Sequence, residues 1–177
     1  MLQRFFISVA ISFVLLSCSS EVEDKDRIVG NNEFSIVIPD YLQESDNVSS
    51  DGLIQYFVKE HDCFMYLVVF KDVKSDYDQG FGLINFYEYI ANDILNNYLD
   101  YGRLTPPTDT IINGISAKQF YINGSLKIYE GDNSVLFHET IFETDSVFYE
   151  IRSWCCYIGK NRYLNDMKKI AASFKFK

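Results

Sequence analysis

The run Cys63-Phe64-Met65-Tyr66-Leu67-Val68-Val69-Phe70 has almost no polar member. Successive side chains of a strand point to opposite sides of its sheet, so an unbroken apolar run of this length predicts a central strand covered on both faces. Leu53 to Val58 precedes it across Lys59-Glu60-His61-Asp62, and the pair reads as a hairpin with turn residues in the gap.

The other segments fall into place around that strand. Phe34-Ser35-Ile36-Val37-Ile38-Pro39 alternates and stops at a proline, which reads as an opening strand. Phe86, Ile90, Ile94 and Tyr98, with Leu83, Tyr87 and Leu95 beside them, follow the helical repeat and predict a helix of about four turns that ends near Gly102. Thr108 to Ile112, Asn113-Gly114 and Ile115 to Ile122 predict strand, two-residue turn and strand, and Asn123-Gly124 a further turn or bulge. Leu126 to Tyr129, Val135 to Glu143 and Val147 to Ile158 continue as a meander. Tyr163, Leu164, Met167, Ile170, Ala171 and Phe174 share one helical face, so a last amphipathic helix packs back on the sheet.

FSIVIP, the mid-chain helix, NGISAKQF, the hairpin ETIFETDSVFYEIRSW and a terminal helix running into IAASFKF together resemble the PsbP-like and Ran-binding Mog-like superfamily over residues 33–177. The resemblance implies an α+β fold, an α-β-α sandwich with a central antiparallel sheet flanked by helices. The superfamily includes extrinsic photosystem subunits, a nuclear transport cofactor and many bacterial lipoproteins of unassigned role. It has no invariant catalytic signature, and no functional residue carries over to this chain.

Residues 1–17 have the layout of a secretory signal peptide: Arg4, an apolar segment from Phe5 to Leu16, and the small Ser17. The segment is shorter than the roughly 20 residues of a membrane-spanning helix. Leu15-Leu16-Ser17-Cys18 resembles the lipobox of bacterial lipoproteins. That resemblance implies cleavage before Cys18 and acylation of its thiol. One acyl chain binds marginally, whereas two or three anchor stably, so the chain is expected to be held on a membrane through Cys18 without crossing it. Residues 18–32 read as an acidic flexible tether. Glu21, Glu23, Asp24 and Asp26 are similar to the acidic signals some Gram-negative lipoproteins use to reach the outer face of the outer membrane, and a solvated spacer explains them as well. The expected location is the cell envelope, lipid-anchored at the outer membrane on its periplasmic or surface face.

Without residues 1–17 the chain carries 15 basic and 25 acidic residues, a net charge of 10 negative, which excludes nucleic acid as a natural partner. Residues 159–177 reverse the sign, with Lys160, Arg162, Lys168, Lys169, Lys175 and Lys177 against Asp166 alone. These cations solvate a helix and complement its dipole. The other reading is that Lys160, Arg162, Lys168, Lys169 and Lys175 contact an anionic lipid or an acidic protein. Besides Cys18 the thiols are Cys63, Cys155 and Cys156. Cys155 and Cys156 are adjacent on a strand and point to opposite faces, so either one can meet Cys63 in a disulfide but they are poorly placed to bond to each other. The alternative is three buried, inert thiols.

Catalytic constellations are sparse. Gly114-Ile115-Ser116 lacks the second glycine and the strand-turn-helix setting of a nucleophile elbow. His61 and His138 are the available bases. His61-Asp62-Cys63 and His138-Glu139 place candidate metal ligands on alternate faces, which hinders joint coordination. Asp76-Tyr77-Asp78-Gln79-Gly80 matches a calcium loop only in outline. The residues thus point away from an enzyme, a cofactor or a metal centre and toward a lipid-anchored module that binds a protein in the envelope. The alternative is a carrier of a small apolar ligand in an aromatic-lined pocket around the helix of Phe86 to Tyr98, with a hydrolase or metal protein built on His61 or His138 behind it.

Overall fold

A computed structural model describes residues 25–61, 63–127 and 134–177. Their strands are β1 (Asp26–Gly30), β2 (Phe34–Pro39), β3 (Gln43–Glu44), β4 (Ile54–Glu60), β5 (Cys63–Val73), β6 (Leu99–Leu104), β7 (Thr108–Ile112), β8 (Ile115–Leu126), β9 (Ser134–Glu143), β10 (Val147–Cys156) and β11 (Lys175–Phe176). The helices are α1 (Leu83–Asp93), extended by a π-helical turn over Ile94–Tyr98, and α2 (Lys160–Ala172).

Long runs of β-branched and aromatic residues pair as β5, β10, β9 and β8 at the middle of an eight-stranded sheet of order β3-β4-β5-β10-β9-β8-β6, with β7 on the same edge of β8 as β6, along its first half. Every pairing is antiparallel. A second sheet, β1-β2-β11, lies beside α2.

Two apolar layers fill the space on either side of the large sheet. On one face Phe34, Ile36 and Ile38 of β2 and Tyr163, Met167 and Ile170 of α2 meet Met65, Leu67, Val69, Phe142, Ile151 and Cys155. Ser173 accepts from the backbone of Val37 at 2.8 Å and joins the end of α2 to β2. On the other face Phe86, Tyr87, Ile90 and Ala91 of α1 pack on Phe120, Ile122, Ile141 and Phe148. Each fully buried ring or branched aliphatic contributes roughly 1.5–3 kcal/mol relative to exposure. This is an α+β sandwich of the expected kind.

Several boundaries differ from the sequence reading. Residues 26–30, read as part of the tether, pair with β2 from Asp26↔Pro39 to Gly30↔Ser35. Backbone hydrogen bonds hold this edge strand and only Val29 is even partly buried, so it leaves no apolar pattern. Cys18, the rest of 1–24, Asp62 and residues 128–133, which hold the end of the strand read over Leu126 to Tyr129, lie outside the described residues. The mid-chain helix stops at Tyr98: the π-helical turn inserts an extra residue and shifts the buried position from Tyr98, 40% exposed, to Leu99. Asn123-Gly124 is neither turn nor bulge but part of β8, where Gly124 opposes Gly102; the irregularity in this pairing falls on β6, between Leu99 and Tyr101. A Cβ on Gly124 would sit 2.4 Å from the Tyr101 carbonyl oxygen, so the glycine permits the close approach of β6. Asn113 and Gly114 do form the two-residue turn, with φ of 51° and 85°.

The central strand itself is covered unequally. Met65, Leu67 and Val69 are sealed under α2 and β2, while on the opposite face Phe64, Tyr66 and Phe70 remain half-buried. The reason is placement, because α1 lies over β8 and β9 and, among the described residues, neither helix packs on the β4–β5 side of its face.

Candidate functional site

On that open side the register aligns one aromatic residue from each of four strands. Phe57 pairs with Tyr66, Tyr66 with Trp154, and Trp154 with Phe137. Ring centroids are 6.1, 5.0 and 5.7 Å apart and neighbouring planes lie within 20°. Phe64 joins the row 5.3 Å from Tyr66. Phe137 is buried, but Phe57, Phe64, Tyr66 and Trp154 keep solvent access. The side-chain amide of Gln55 accepts from the backbone of Val48 and Ser49 and donates to the Ser49 carbonyl, fixing the loop before β4 beside the row. At the other end Tyr101, Gly124, Val135 and Tyr157 line a shallow pocket of about 250 Å³.

The next row on the same face is ionic. Arg152, paired with Glu139 across β9–β10, donates from Nε to Glu150 Oε1 at 2.6 Å and has Asp93 Oδ2 3.8 Å from Nη2. Its guanidinium lies 5.1 Å from the Phe70 ring centre and 5.7 Å from that of Tyr98. Burial opposes its charge, but the carboxylate of Glu150, through its charge and its hydrogen bond, outweighs that cost and holds it cationic. Glu139 differs: it is fully buried and neither carboxyl oxygen has a hydrogen-bond partner. Its Oε1 is 3.6 Å from Arg152 Nε, whose single hydrogen already goes to Glu150. Burial first, and then the charge of Glu150, push Glu139 well above the ordinary carboxyl range, so it is the neutral member of the group.

The opposite face holds an open groove of about 570 Å³ between α2 and the β7–β8 hairpin. Lys168 and Ala172 form one wall, Thr110, Ile111 and Ile112 the other, and Gln119 and Tyr121 the base. Asn113 closes one end by donating to the carbonyls of Ala172 and Phe174. His138 is buried behind Tyr121, 5.0 Å between ring centres, and both its nitrogens lack partners. Burial, and secondarily Lys168, lower its pKa to about 4.

The other residues singled out in the sequence are dispersed. Cys63 and Cys156 are disulfide-bonded with Cα atoms 5.5 Å apart, and Cys155 is a buried free thiol. Of the five cations considered for partner binding, Arg162 forks onto Glu60, Lys169 faces Asp166 at 3.8 Å, and Lys160 donates to the Tyr157 hydroxyl. Lys175 is exposed on β11, and Lys168 alone of the five borders the groove. His61 sits exposed in the β4–β5 turn, three strands from His138, and the two form no joint site. Neither ring nitrogen of His138 has a hydrogen-bond partner, while its carbonyl accepts from the Ser153 hydroxyl at 3.2 Å. Among the described residues no three His, Cys, Asp or Glu side chains group as a metal site. The space proposed around α1 for an apolar ligand is filled, with Phe86 stacked on Phe148 at 4.4 Å and Tyr87 edge-on to Phe120 at 4.9 Å.

The Arg152 group was missed, although Glu139, Glu150 and Arg152 are the charged residues inside two strands made largely of apolar residues. That placement was the available signal, since charges at inward positions must find partners.

Solved structures share the fold. The cyanobacterial PsbP protein (CyanoP) of Synechocystis sp. PCC 6803 superposes with a TM-score of 0.62 over 92% of this chain and 99% of its own, at 12% identity. The fold is PsbP-like. LpqN of Mycobacterium tuberculosis, a protein involved in cell envelope biogenesis, also reaches 0.62, over 86% of this chain and 91% of its own at 10% identity. A Pseudomonas aeruginosa protein of unknown function gives 0.51 over 81% and 91%, at 13% identity. No family model and no curated protein matches the sequence. At such identities the PsbP-like fold is what is shared, and the aromatic row and the groove are described from this chain's own residues.

Proposed function

We propose that this chain is an extracytoplasmic module, anchored to a membrane through acylated Cys18, that recognises an envelope protein with its aromatic row and carries out no bond-making chemistry. The observation that carries the reading is the half-buried row of Phe57, Tyr66 and Trp154 on a sheet face that α1 leaves open. Protein-binding surfaces concentrate Trp, Tyr, Phe and Arg at their centre, and a few such anchors dominate the energy. Compartment is supported by the disulfide between β5 and β10, since such bonds persist where the surroundings are oxidising. Likeness in fold to LpqN, a protein involved in cell envelope biogenesis, agrees with that setting. The lipobox resemblance supplies the anchor, and the acidic residues behind Cys18 suit the outer membrane.

Two experiments test the reading. Labelled fatty acid is expected on the parent and absent from Cys18→Ala, which leaves the membrane fraction; equal labelling contradicts the anchor. A photo-reactive residue at position 57 is expected to give an adduct with one envelope protein, and the same residue at Ile84, exposed on α1, is not. Equal adducts from both positions contradict recognition by the row.

A further inference from the structure

We propose that the groove between α2 and the β7–β8 hairpin binds a small amphipathic monocarboxylate, with the charge seated on Lys168. The groove lies on the opposite face from the aromatic row, and this inference does not depend on that row. Its volume of about 570 Å³ is in the range of small-molecule sites, roughly 300–1,000 Å³.

The lining fixes the ligand's chemistry. Lys168 is the one charged residue along it, in a chain whose net charge is −9. Among the described residues its ammonium makes no ion pair and instead lies 5.9 Å from the centre of the Tyr121 ring. A cation over an aromatic face at a cavity mouth is poised for an anion that neutralises it from the open side. One positive charge balances one negative charge, which suits a carboxylate better than a doubly charged phosphate. Thr110 and Tyr121 bring hydroxyl groups able to donate to its oxygens. Ile112, whose side chain shares the face of Thr110 and Tyr121, and Ala172 leave an aliphatic strip for a short apolar tail.

Behind the base of the groove lies a group that folding alone leaves unexplained. His138 is completely buried behind Tyr121 with both nitrogens unpartnered. A purely structural core would place an aliphatic residue there at no cost in hydrogen bonds. The imidazole lies against the Tyr121 ring, 5.0 Å between ring centres, and so serves as a reporter of occupancy from behind the groove.

Titration of the full chain with 3-methylbutanoate, using 3-methylbutanamide as the uncharged isostere, tests the proposal by nuclear magnetic resonance. Saturable shifts of the His138 and Tyr121 ring signals are expected with the acid, and binding at least about tenfold weaker with the amide, as loss of a charge-assisted contact implies. Lys168→Met should weaken the acid by a similar factor, while Lys169→Met, on the neighbouring exposed position, should not change it. Retention of the parent amide spectrum shows that each variant is folded. Equal binding of acid and amide, no saturable shift, or a Lys168→Met chain that binds as the parent does each overturns the proposal. None of these outcomes bears on position 57, so failure here is distinguishable from failure of the protein-recognition reading.

Discussion

Arg152 and Glu150 stand two residues apart on β10 and meet on the same buried face, Nε to Oε1 at 2.6 Å. A strand's alternation makes such neighbours share a side, and here they lie beneath Tyr98 and Asp93 at the end of α1. The pair therefore links the open aromatic side of the sheet to the helix-covered side.

Removing one partner strands the other charge. Arg152→Met should cost about 3–5 kcal/mol in denaturant unfolding, while the double variant Arg152→Met with Glu150→Gln should recover much of it. Equal losses in the two would show that the pairing contributes nothing specific.

Glu139 predicts an alkaline dependence. Its folded pKa is raised above the unfolded value by burial, so the stability it confers is complete below about pH 4.5 and declines as pH rises through the folded value. Glu139→Gln keeps the neutral form, so its melting temperature should match the parent near pH 4.5 and exceed it increasingly toward pH 9. A constant difference across that range counts against a neutral buried carboxyl.

His138 acts on the acid side. Its folded pKa of about 4 lies below the ordinary imidazole value, so the stability is present above about pH 6.5 and is lost as pH falls through the folded value. The linkage ceiling is roughly 3 kcal/mol. His138→Leu should flatten this limb of the stability profile, measured by urea unfolding at pH 7, 5.5 and 4.

The disulfide closes a separation of 93 residues between Cys63 and Cys156. Replacing both by alanine should cost about 2–5 kcal/mol. Burial raises the Cys155 thiol to about 12, so iodoacetamide should leave it unmodified until the chain unfolds. Rapid alkylation of the native protein would contradict that placement.

Much of this architecture was legible because periodicity records burial. Phe34, Ile36 and Ile38 alternate and are all fully buried, and Tyr163, Met167 and Ile170 mark the inward stripe of α2. Backbone-driven features left no such trace: β1 is an edge strand held by hydrogen bonds, and the π-helical turn changes phase without a distinctive residue. The site was hidden for another reason. Apolar content suggested that both faces of β5 were covered, but coverage depends on where α1 lands, and that is decided by residues such as Phe120 and Phe148 far along the chain. Likewise the choice of Cys156 over Cys155 as partner for Cys63 depends on geometry at the end of β10, which adjacency alone leaves open.

Recognition by the aromatic row is tested most directly by the yield of the position-57 photo-adduct in intact cells, compared between the parent and Trp154→Ser. Truncating a central aromatic anchor typically costs a binding surface 2 kcal/mol or more, about thirtyfold. The adduct should therefore fall to a small fraction of the parent's while the protein remains in the membrane fraction at parental abundance. An undiminished adduct in the Trp154→Ser chain would contradict the account.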